Sequence, residues 1–233
     1  MKNALFGIII FLYTVLISPI RLINRFKEKS KREESNYKLL KKLVNILVKV
    51  SKLEININQM DEYDKNKAYT IISNHKSNLD AVFLIYLFDK PMIFIGKKQI
   101  GSVPFLSGWF KAIGCLFIDR DNIRESAKTI IEGIQVLKEG KSVIVFPEGK
   151  RIKDDTIGDF KDGSFKLALK SKTQVLPISI KGSNKAFSKD KNESGKIDLS
   201  IGKVINWESC GLNKTTLLSE YTRDKIVEMY KNS

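Results

Sequence analysis

Histidine is almost missing from this 233-residue chain, His75 being the only one. Cysteine is scarce too: Cys115 and Cys210 are the two present, and they form no CxxC pair. A Cys/His zinc site needs several such ligands, so it is excluded, and so is a disulfide-stapled scaffold. There is no Gly-x-Ser-x-Gly elbow to present a serine nucleophile, and no internal repeat. Acidic residues are in short supply, 26 Asp and Glu against 41 Lys and Arg, which leaves a net charge of +15. Such a surplus points to anionic partners: nucleic acid, an acidic membrane surface, phosphorylated substrates or an acidic carrier protein. A chain of this length buries about 70% of its unfolded surface, so its core needs neither metal nor cross-link.

Charge is absent altogether from residues 4–20, ALFGIIIFLYTVLISPI. A helix over that stretch is about 26 Å long, just short of a ~30 Å hydrocarbon core. A cleaved signal peptide fits badly, because Ile17-Ser18-Pro19-Ile20 is a poor small-residue cleavage site. A buried core helix is one alternative; a membrane anchor, spanning or half-buried, is the preferred reading. Cations follow at once: Arg21, Arg25, Lys27, Lys29, Lys31, Arg32, Lys38, Lys41, Lys42, Lys49 and Lys52 stand against Glu28, Glu33 and Glu34. Juxtamembrane cations favour the cytoplasmic side and are drawn to anionic lipid. Within this stretch Leu40, Leu43, Val44, Leu47 and Val50 recur at helical spacing. They predict either a basic amphipathic helix lying on the bilayer or a helix packing its stripe on the main domain. The chain therefore divides into an N-terminal anchor with a basic amphipathic helix, 1–52, and a main domain, 53–233.

That main domain alternates strand and helix patterns. Residues 69–73, 92–95, 115–118, 143–146 and 175–180 are short apolar runs rich in Ile, Val and Phe. Between them the clearest helical pattern has Ile123, Ala127, Ile130, Ile134 and Leu137, closed by Gly140. Residues 183–195 read as an exposed loop and 215–230 as a closing helix. The alternation predicts an α/β fold with a mostly parallel central sheet flanked by helices.

In such sheets ligands gather beyond the carboxyl ends of the strands, where four polar stretches fall. In Asn74-His75-Lys76-Ser77-Asn78-Leu79-Asp80, His75 is the one side chain suited to proton transfer near neutral pH. On a single helix residues five apart diverge by about 140°. His75 and Asp80 therefore meet only if the histidine sits in the strand-to-helix turn and the aspartate in the first helical turn. The alternative is that Ser77-x-x-Asp80 is simply a capping box. In Asp119-Arg120-Asp121 the arginine precedes a helix, as a phosphate grip or as one half of a surface ion pair. In Pro147-Glu148-Gly149-Lys150-Arg151 a tight turn projects Glu148, and Gly149 allows close backbone approach. Pro177, inside an apolar strand, predicts an edge or a bulge.

Taken in order, NHKSNLD, CLFIDR, FPEGKRIK and VLPISI resemble the four motifs of the glycerolipid acyltransferases, in particular their bacterial 1-acylglycerol-3-phosphate branch. KKQIGSVPFLSGWFKAIG (97–114) and FKDGSFKLA (160–168) extend the resemblance, which covers roughly residues 65–185. Lys150 and Ile152 stand where this family usually has Thr and Ser, and Gln99 where Glu is common. The resemblance implies transfer of a fatty acyl group from an acyl-CoA or acyl-ACP thioester to the hydroxyl of lysophosphatidic acid. It implies His75 as general base oriented by Asp80, Arg120 on the acceptor phosphate with Lys97 and Arg151 assisting, and Glu148 and Gly149 positioning the glycerol. It also implies no metal and no cofactor beyond the acyl thioester, a membrane with anionic lipid and no nucleic acid as partners, and a catalytic domain on the cytoplasmic side of the cell membrane. Other acceptors, glycerol 3-phosphate or another lysophospholipid, stay open because of Lys150 and Ile152. So do a hydrolase using Ser77 or Cys115 and a non-enzymatic basic membrane or nucleic-acid binder.

Overall fold

The protein is described by a computed structural model covering residues 2–102, 106–188 and 195–233. Three helices come first: α1 (Lys2–Leu16), α2 (Ser18–Asn24) and α3 (Lys29–Ser51). The rest runs β1 (Glu54–Gln59), β2 (Thr70–Ser73), α4 (Asp80–Leu87), β3 (Met92–Lys97), α5 (Leu106–Ala112), β4 (Leu116–Ile118), α6 (Ile123–Lys138), β5 (Ser142–Val145), α7 (Lys166–Ser171), β6 (Val175–Lys181), β7 (Lys196–Ile201) and α8 (Thr215–Lys231). The strands form a seven-stranded sheet in the order β1-β7-β6-β2-β5-β3-β4. Strands β6, β2, β5, β3 and β4 are mutually parallel, while β7 pairs antiparallel with β6 and parallel with β1. This is the expected α/β architecture.

Alternation along the strands explains the layering. Ile71 faces one apolar cluster together with Phe94, Ile144 and residues of α3, α4 and α5. Its neighbour Ile72 faces the other, with Ile93, Val143 and residues of α6, α7 and α8. Both faces are covered, so the central strands read as continuous apolar runs. The two strands that such runs do not reveal are β1 and β7. They alternate polar and apolar, and β1 is largely exposed at the sheet edge.

Proline 177 is not at an edge: β6 lies between β7 and β2. Its carbonyl accepts from Gly202 N–H at 2.9 Å, just past the last residue of β7, so the missing donor falls where that ladder has ended. Between the pairs Ile178–Ile201 and Val175–Ile205, two residues of β6 face three of the returning chain. The bulge lies opposite the proline.

The N-terminal segment differs more from expectation. The apolar stretch is not one straight helix: it breaks at Ile17, and Gly7–Leu16 and Ser18–Asn24 meet at 53°. Pro19, in the first turn of α2, suits a new start because its missing N–H would be unpaired there anyway. Among the described residues no single helix is long and apolar enough to cross a membrane. Ile8, Phe11, Leu12, Val15 and Leu16 are exposed on α1. Most of the α3 stripe packs on the main domain: Leu40, Leu43 and Val44, with Tyr37, are buried in the cluster that contains Ile71 and Phe94, Leu47 is half-buried against it, and Val50 is exposed. Polar anchors reinforce that packing, Tyr37 Oη donating to Phe88 O at 3.1 Å and Asn36 Nδ2 to Ala112 O at 3.0 Å. Residues 1–52 and 53–233 therefore share a core. The presumed loop from 183 also begins buried, at Ser183 and Ala186, while 189–194 lie outside the described residues, as do 103–105 of the 97–114 stretch.

If α3 is core, Leu43→Ala loses about 2–5 kcal/mol of unfolding free energy, the range for large-to-small changes at closed sites. Denaturant titration of the full chain measures it. A change no larger than that of an exposed substitution would detach α3 from the core.

Candidate active site

All five parallel strands end at the same side of the sheet, and the His75, Arg120 and Glu148 stretches follow the ends of β2, β4 and β5, while Pro177 lies inside β6. His75 sits in the turn after β2, and Asp80 is the first residue of α4. The meeting that the spacing required is present: His75 Nδ1 lies 2.7 Å from Asp80 Oδ2. A carboxylate only accepts, so Nδ1 carries the proton and Nε2 presents a lone pair. Nε2 has no hydrogen-bond partner among the described residues, and the side chain is 22% exposed.

Asp80 is fully buried and its oxygens are all occupied. Oδ2 also accepts Lys76 N–H at 2.7 Å and Ser77 N–H at 2.9 Å. Oδ1 accepts Ser183 Oγ–H. Ser77 Oγ in turn accepts Leu79 N–H at 3.2 Å. The N-cap of α4 is Leu79, without a side-chain cap, so Ser77-x-x-Asp80 is not a full capping box; the Asp80 carboxylate instead closes the turn 76–77 ahead of α4 and fixes the imidazole. Ser183 carries no motif of its own. Its one sequence cue is Gly182, which holds φ at +81°, and where a Cβ would collide with the Lys196 carbonyl.

Glu148 was expected to face the substrate. It is buried instead, and its two oxygens clamp backbone: Oε2 accepts His75 N–H at 2.7 Å and Oε1 accepts Gly158 N–H at 3.0 Å. Burial raises its carboxyl pKa, opposed by those two amide bonds and by the nearby Lys76. The loop after β5 is tied back again where Ile152 N–H donates to His75 O at 2.8 Å. His75 also stacks on Phe146, with ring centroids 4.2 Å apart. Main chain, side chain and ring face of the histidine are each held by a different neighbour. Gly149 has φ +72°, and an added Cβ would meet Lys161 Cε at 3.1 Å.

Lys76 is the residue that sequence reasoning missed. Although it is a lysine next to the histidine, it is 2% exposed. Nζ donates to Asp154 O at 2.8 Å and to Thr156 O, and lies 4.8 Å from the Tyr230 ring centroid. Burial lowers its pKa, while Glu148, Asp154, Asp155 and Asp80 pull it back up. It ties the 153–157 segment and the C-terminal helix to the His75 turn.

The remaining expected residues stand around this centre. Arg151 Nη1 donates to Asn78 Oδ1 at 2.8 Å, joining the loop after β5 to the histidine turn. Arg120 follows β4 and is not paired with Asp119, whose carboxylate engages Lys98 at 3.0 Å. No ion pair or hydrogen bond holds the Arg120 guanidinium among the described residues. Lys97 ends β3, exposed. Since β4 is the third strand from β2, Arg120 and His75 stand on strands about 14 Å apart. Cys115 is buried, and that burial raises its thiol to about 12. Such a thiol is a poor nucleophile at neutral pH. Ser77 Oγ accepts within its own turn.

Comparison with known proteins gives a consistent picture. The family model described as Acyltransferase matches residues 54–181. The chain is 34% identical over 155 residues to the probable 1-acyl-sn-glycerol-3-phosphate acyltransferase of Mycoplasma pneumoniae, covering 64% of this chain and 58% of that protein. It is 30% identical to the probable 1-acyl-sn-glycerol-3-phosphate acyltransferase of Mycoplasma genitalium, covering 84% and 78%. It is 26% identical to the 1-acyl-sn-glycerol-3-phosphate acyltransferase of Borreliella burgdorferi, covering 83% and 75%. Among solved structures, the 1-acyl-sn-glycerophosphate acyltransferase PlsC of Thermotoga maritima superposes with a TM-score of 0.76 at 21% identity, over 100% of this chain and 97% of that one.

Ser183 is a positioning residue in this arrangement. Ser183→Ala leaves Asp80 Oδ1 without a donor in a dry site, at a cost of about 1–3 kcal/mol. Thermal unfolding reads the loss. Ser183→Thr, which keeps the hydroxyl, is expected to recover part of it. A variant as stable as the parent would show that Oδ1 finds another donor.

Proposed function

The chain belongs to the acyltransferase family, and from that membership and the geometry of His75 we propose that it acylates the free hydroxyl of 1-acylglycerol 3-phosphate to give phosphatidic acid. The acyl group comes from a thioester on coenzyme A or an acyl carrier protein. The observation that carries this reading is the His75–Asp80 pair, with Nδ1–H donated to a buried carboxylate and Nε2 unengaged among the described residues, at the carboxyl ends of the strands.

In this mechanism the acceptor hydroxyl gives its proton to Nε2 as its oxygen attacks the thioester carbonyl. The new C–O bond forms, the C–S bond breaks, and the departing thiolate takes the proton from the imidazolium. Asp80 holds the tautomer and stabilises the imidazolium, the orienting role a buried aspartate plays in serine hydrolases. No protein nucleophile is needed, because a thioester is already activated. Glu148 and Lys76 act through His75 by holding its turn. Arg120, without an ion pair or hydrogen bond among the described residues, binds the acceptor phosphate, with Lys97 and Arg151 as further cations at the same end of the sheet. A basic protein suits substrates that bear phosphates and a membrane that supplies one of them. The exposed apolar side chains of α1 and α2 associate with that membrane, from its cytoplasmic side, where the thioesters are made.

The decisive experiment supplies the purified full chain with an acyl thioester and a panel of lyso-acceptors, and identifies the product by mass. Phosphatidic acid from 1-acylglycerol 3-phosphate is the expected product. A preference for glycerol 3-phosphate or another lysophospholipid would move the acceptor, and free fatty acid alone would make the protein a hydrolase. His75→Ala is expected to lower kcat by roughly 10²–10⁴-fold; because it also removes one donor from the buried Asp80 carboxylate, the chain still folds but melts somewhat lower, as for Ser183→Ala. Asp80→Asn is expected to be nearly as slow and also less stable, since a neutral amide cannot replace a carboxylate accepting on both oxygens.

The role of Arg120 has its own test. Charge-assisted bonds to phosphate contribute about 1.5–3 kcal/mol, so Arg120→Ala lowers kcat/KM for a phosphate-bearing acceptor by roughly 10–200-fold. Arg120→Lys recovers part of this, keeping the charge but losing the fork. Monoacylglycerol, which lacks phosphate, should be a poor acceptor little affected by either change. Equal losses on both acceptors would remove the phosphate role.

A further inference from the structure

A second concave surface lies far from His75 and has no part in the mechanism above. It is an open groove of about 980 Å³ between α2, α3 and α5. Four cations line it, Arg21, Arg25, Arg32 and Lys111, and one acid, Glu33. The acid does not neutralise them, because its carboxylate is bound by Lys141 at 2.8 Å. Topology places the groove at the opposite end of the sheet from the active site. Lys141 immediately precedes β5, and Ala112, at the end of α5, comes just before β4. His75 follows the far end of β2, which runs parallel to β5.

The groove is built rather than incidental. Arg21 is fixed by a hydrogen bond to Gly108 O at 3.2 Å and by the Trp109 ring, whose centroid is 4.7 Å from its guanidinium carbon. Asn36 lines the groove and is itself held by Asn24 at 3.2 Å and by Ala112 O. Arg25, Arg32 and Lys111 have no side-chain partner among the described residues. Burial and, after it, the like charge of Arg25 both disfavour the charged form of Arg21. Cations crowded without counter-charge around a cavity call for an anion. Guanidinium groups suit phosphate oxygens in particular, being able to bind two at once.

The rim indicates which phosphate. Leu22, Ile23 and Phe26, beside Arg21 and Arg25 in sequence, are exposed, Phe26 at 89%. Inorganic phosphate has no use for such a rim, whereas a lipid brings acyl chains beside its headgroup. We propose that this groove binds the phosphate of an anionic glycerophospholipid of the bilayer, at a site separate from the one that holds His75. Its occupancy fixes α2 and the end of α5 against the membrane.

The test is flotation of the full chain with phosphatidylcholine vesicles, with and without phosphatidylglycerol, and with no acyl donor. Binding is therefore read independently of acyl transfer, and a failure of the catalytic reading leaves this test untouched. Each juxtamembrane cation adds about 1 kcal/mol, or about fivefold in binding. The pair Arg25→Gln with Arg32→Gln is expected to lower partitioning onto phosphatidylglycerol vesicles about 25-fold, at an unchanged melting temperature. A charge-matched pair outside the groove, Lys170→Gln with Lys214→Gln, should change it little. Should the arginine pair destabilise the fold, Lys111→Gln, an exposed side chain without a partner among the described residues, should give about fivefold alone. Equal losses from groove and control pairs would reduce the effect to net charge and overturn the site. Release of the parent by inorganic phosphate, beyond that caused by chloride of equal ionic strength, would show that the groove takes free phosphate and would overturn the lipid assignment.

Discussion

A buried carboxylate, that of Asp80, is the constraint on which the rest of the site depends. A fully desolvated charge is tolerated only where every lone pair finds a donor. Here the donors come from two distant parts of the chain: the turn 75–77, through the His75 ring and the main chain of Lys76 and Ser77, and the Ser183 hydroxyl at the exit of β6. Satisfying the charge therefore brings the end of β2, the start of α4 and the end of β6 together. The imidazole is one of those donors, so its tautomer follows from the same requirement. A second buried carboxylate, Glu148, repeats the device from the neighbouring strand by gripping the His75 amide. Two acids that touch no open surface leave the histidine one free atom, Nε2.

Strand direction explains why these groups meet. Five parallel strands deliver their carboxyl ends to one side, and crossover helices return on both faces. The motifs are scattered over more than a hundred residues of sequence, yet they emerge side by side because β2 is flanked by β5 and β6. The same topology separates the protein's two cationic surfaces. Arg120 and Lys97 stand with the histidine at the carboxyl ends, while Arg21, Arg25 and Arg32 gather where the strands begin. Asn24, bonded to both Asn36 and Ser35, the further bond from Asn36 to Ala112 O, and Tyr37 knit α2 and α3 into the main core. The N-terminal segment is thus held rigidly against the catalytic domain and carries its exposed apolar side chains with it.

Much of this was legible beforehand. Apolar runs bounded by polar turns marked the five parallel strands, and the His75–Asp80 spacing allowed a single geometry for a meeting, the one observed. These features depend on local periodicity and on a few bond lengths of chain, which a linear sequence specifies. The edge strand β1 and its neighbour β7 escaped because a strand that alternates polar and apolar residues looks like any amphipathic segment and needs its neighbour to be recognised. The stripe of α3 was equally compatible with lipid and with protein, since both offer the same apolar contact.

What the sequence determined by itself was the fold class, the position of the one histidine and the aspartate it meets, and the excess of positive charge. The tertiary structure decided which polar groups are buried. That turned Glu148 inward onto backbone amides, enclosed Lys76 between two carbonyls and the Tyr230 ring, brought Ser183 to Asp80, and left Arg120 without an ion-pair partner among the described residues. It also placed Pro177 in the middle of the sheet, opposite a bulge rather than on an edge. The reason is physical: whether a charge is solvated or compensated depends on segments far apart in the chain, and no local pattern records which of them will supply the donor.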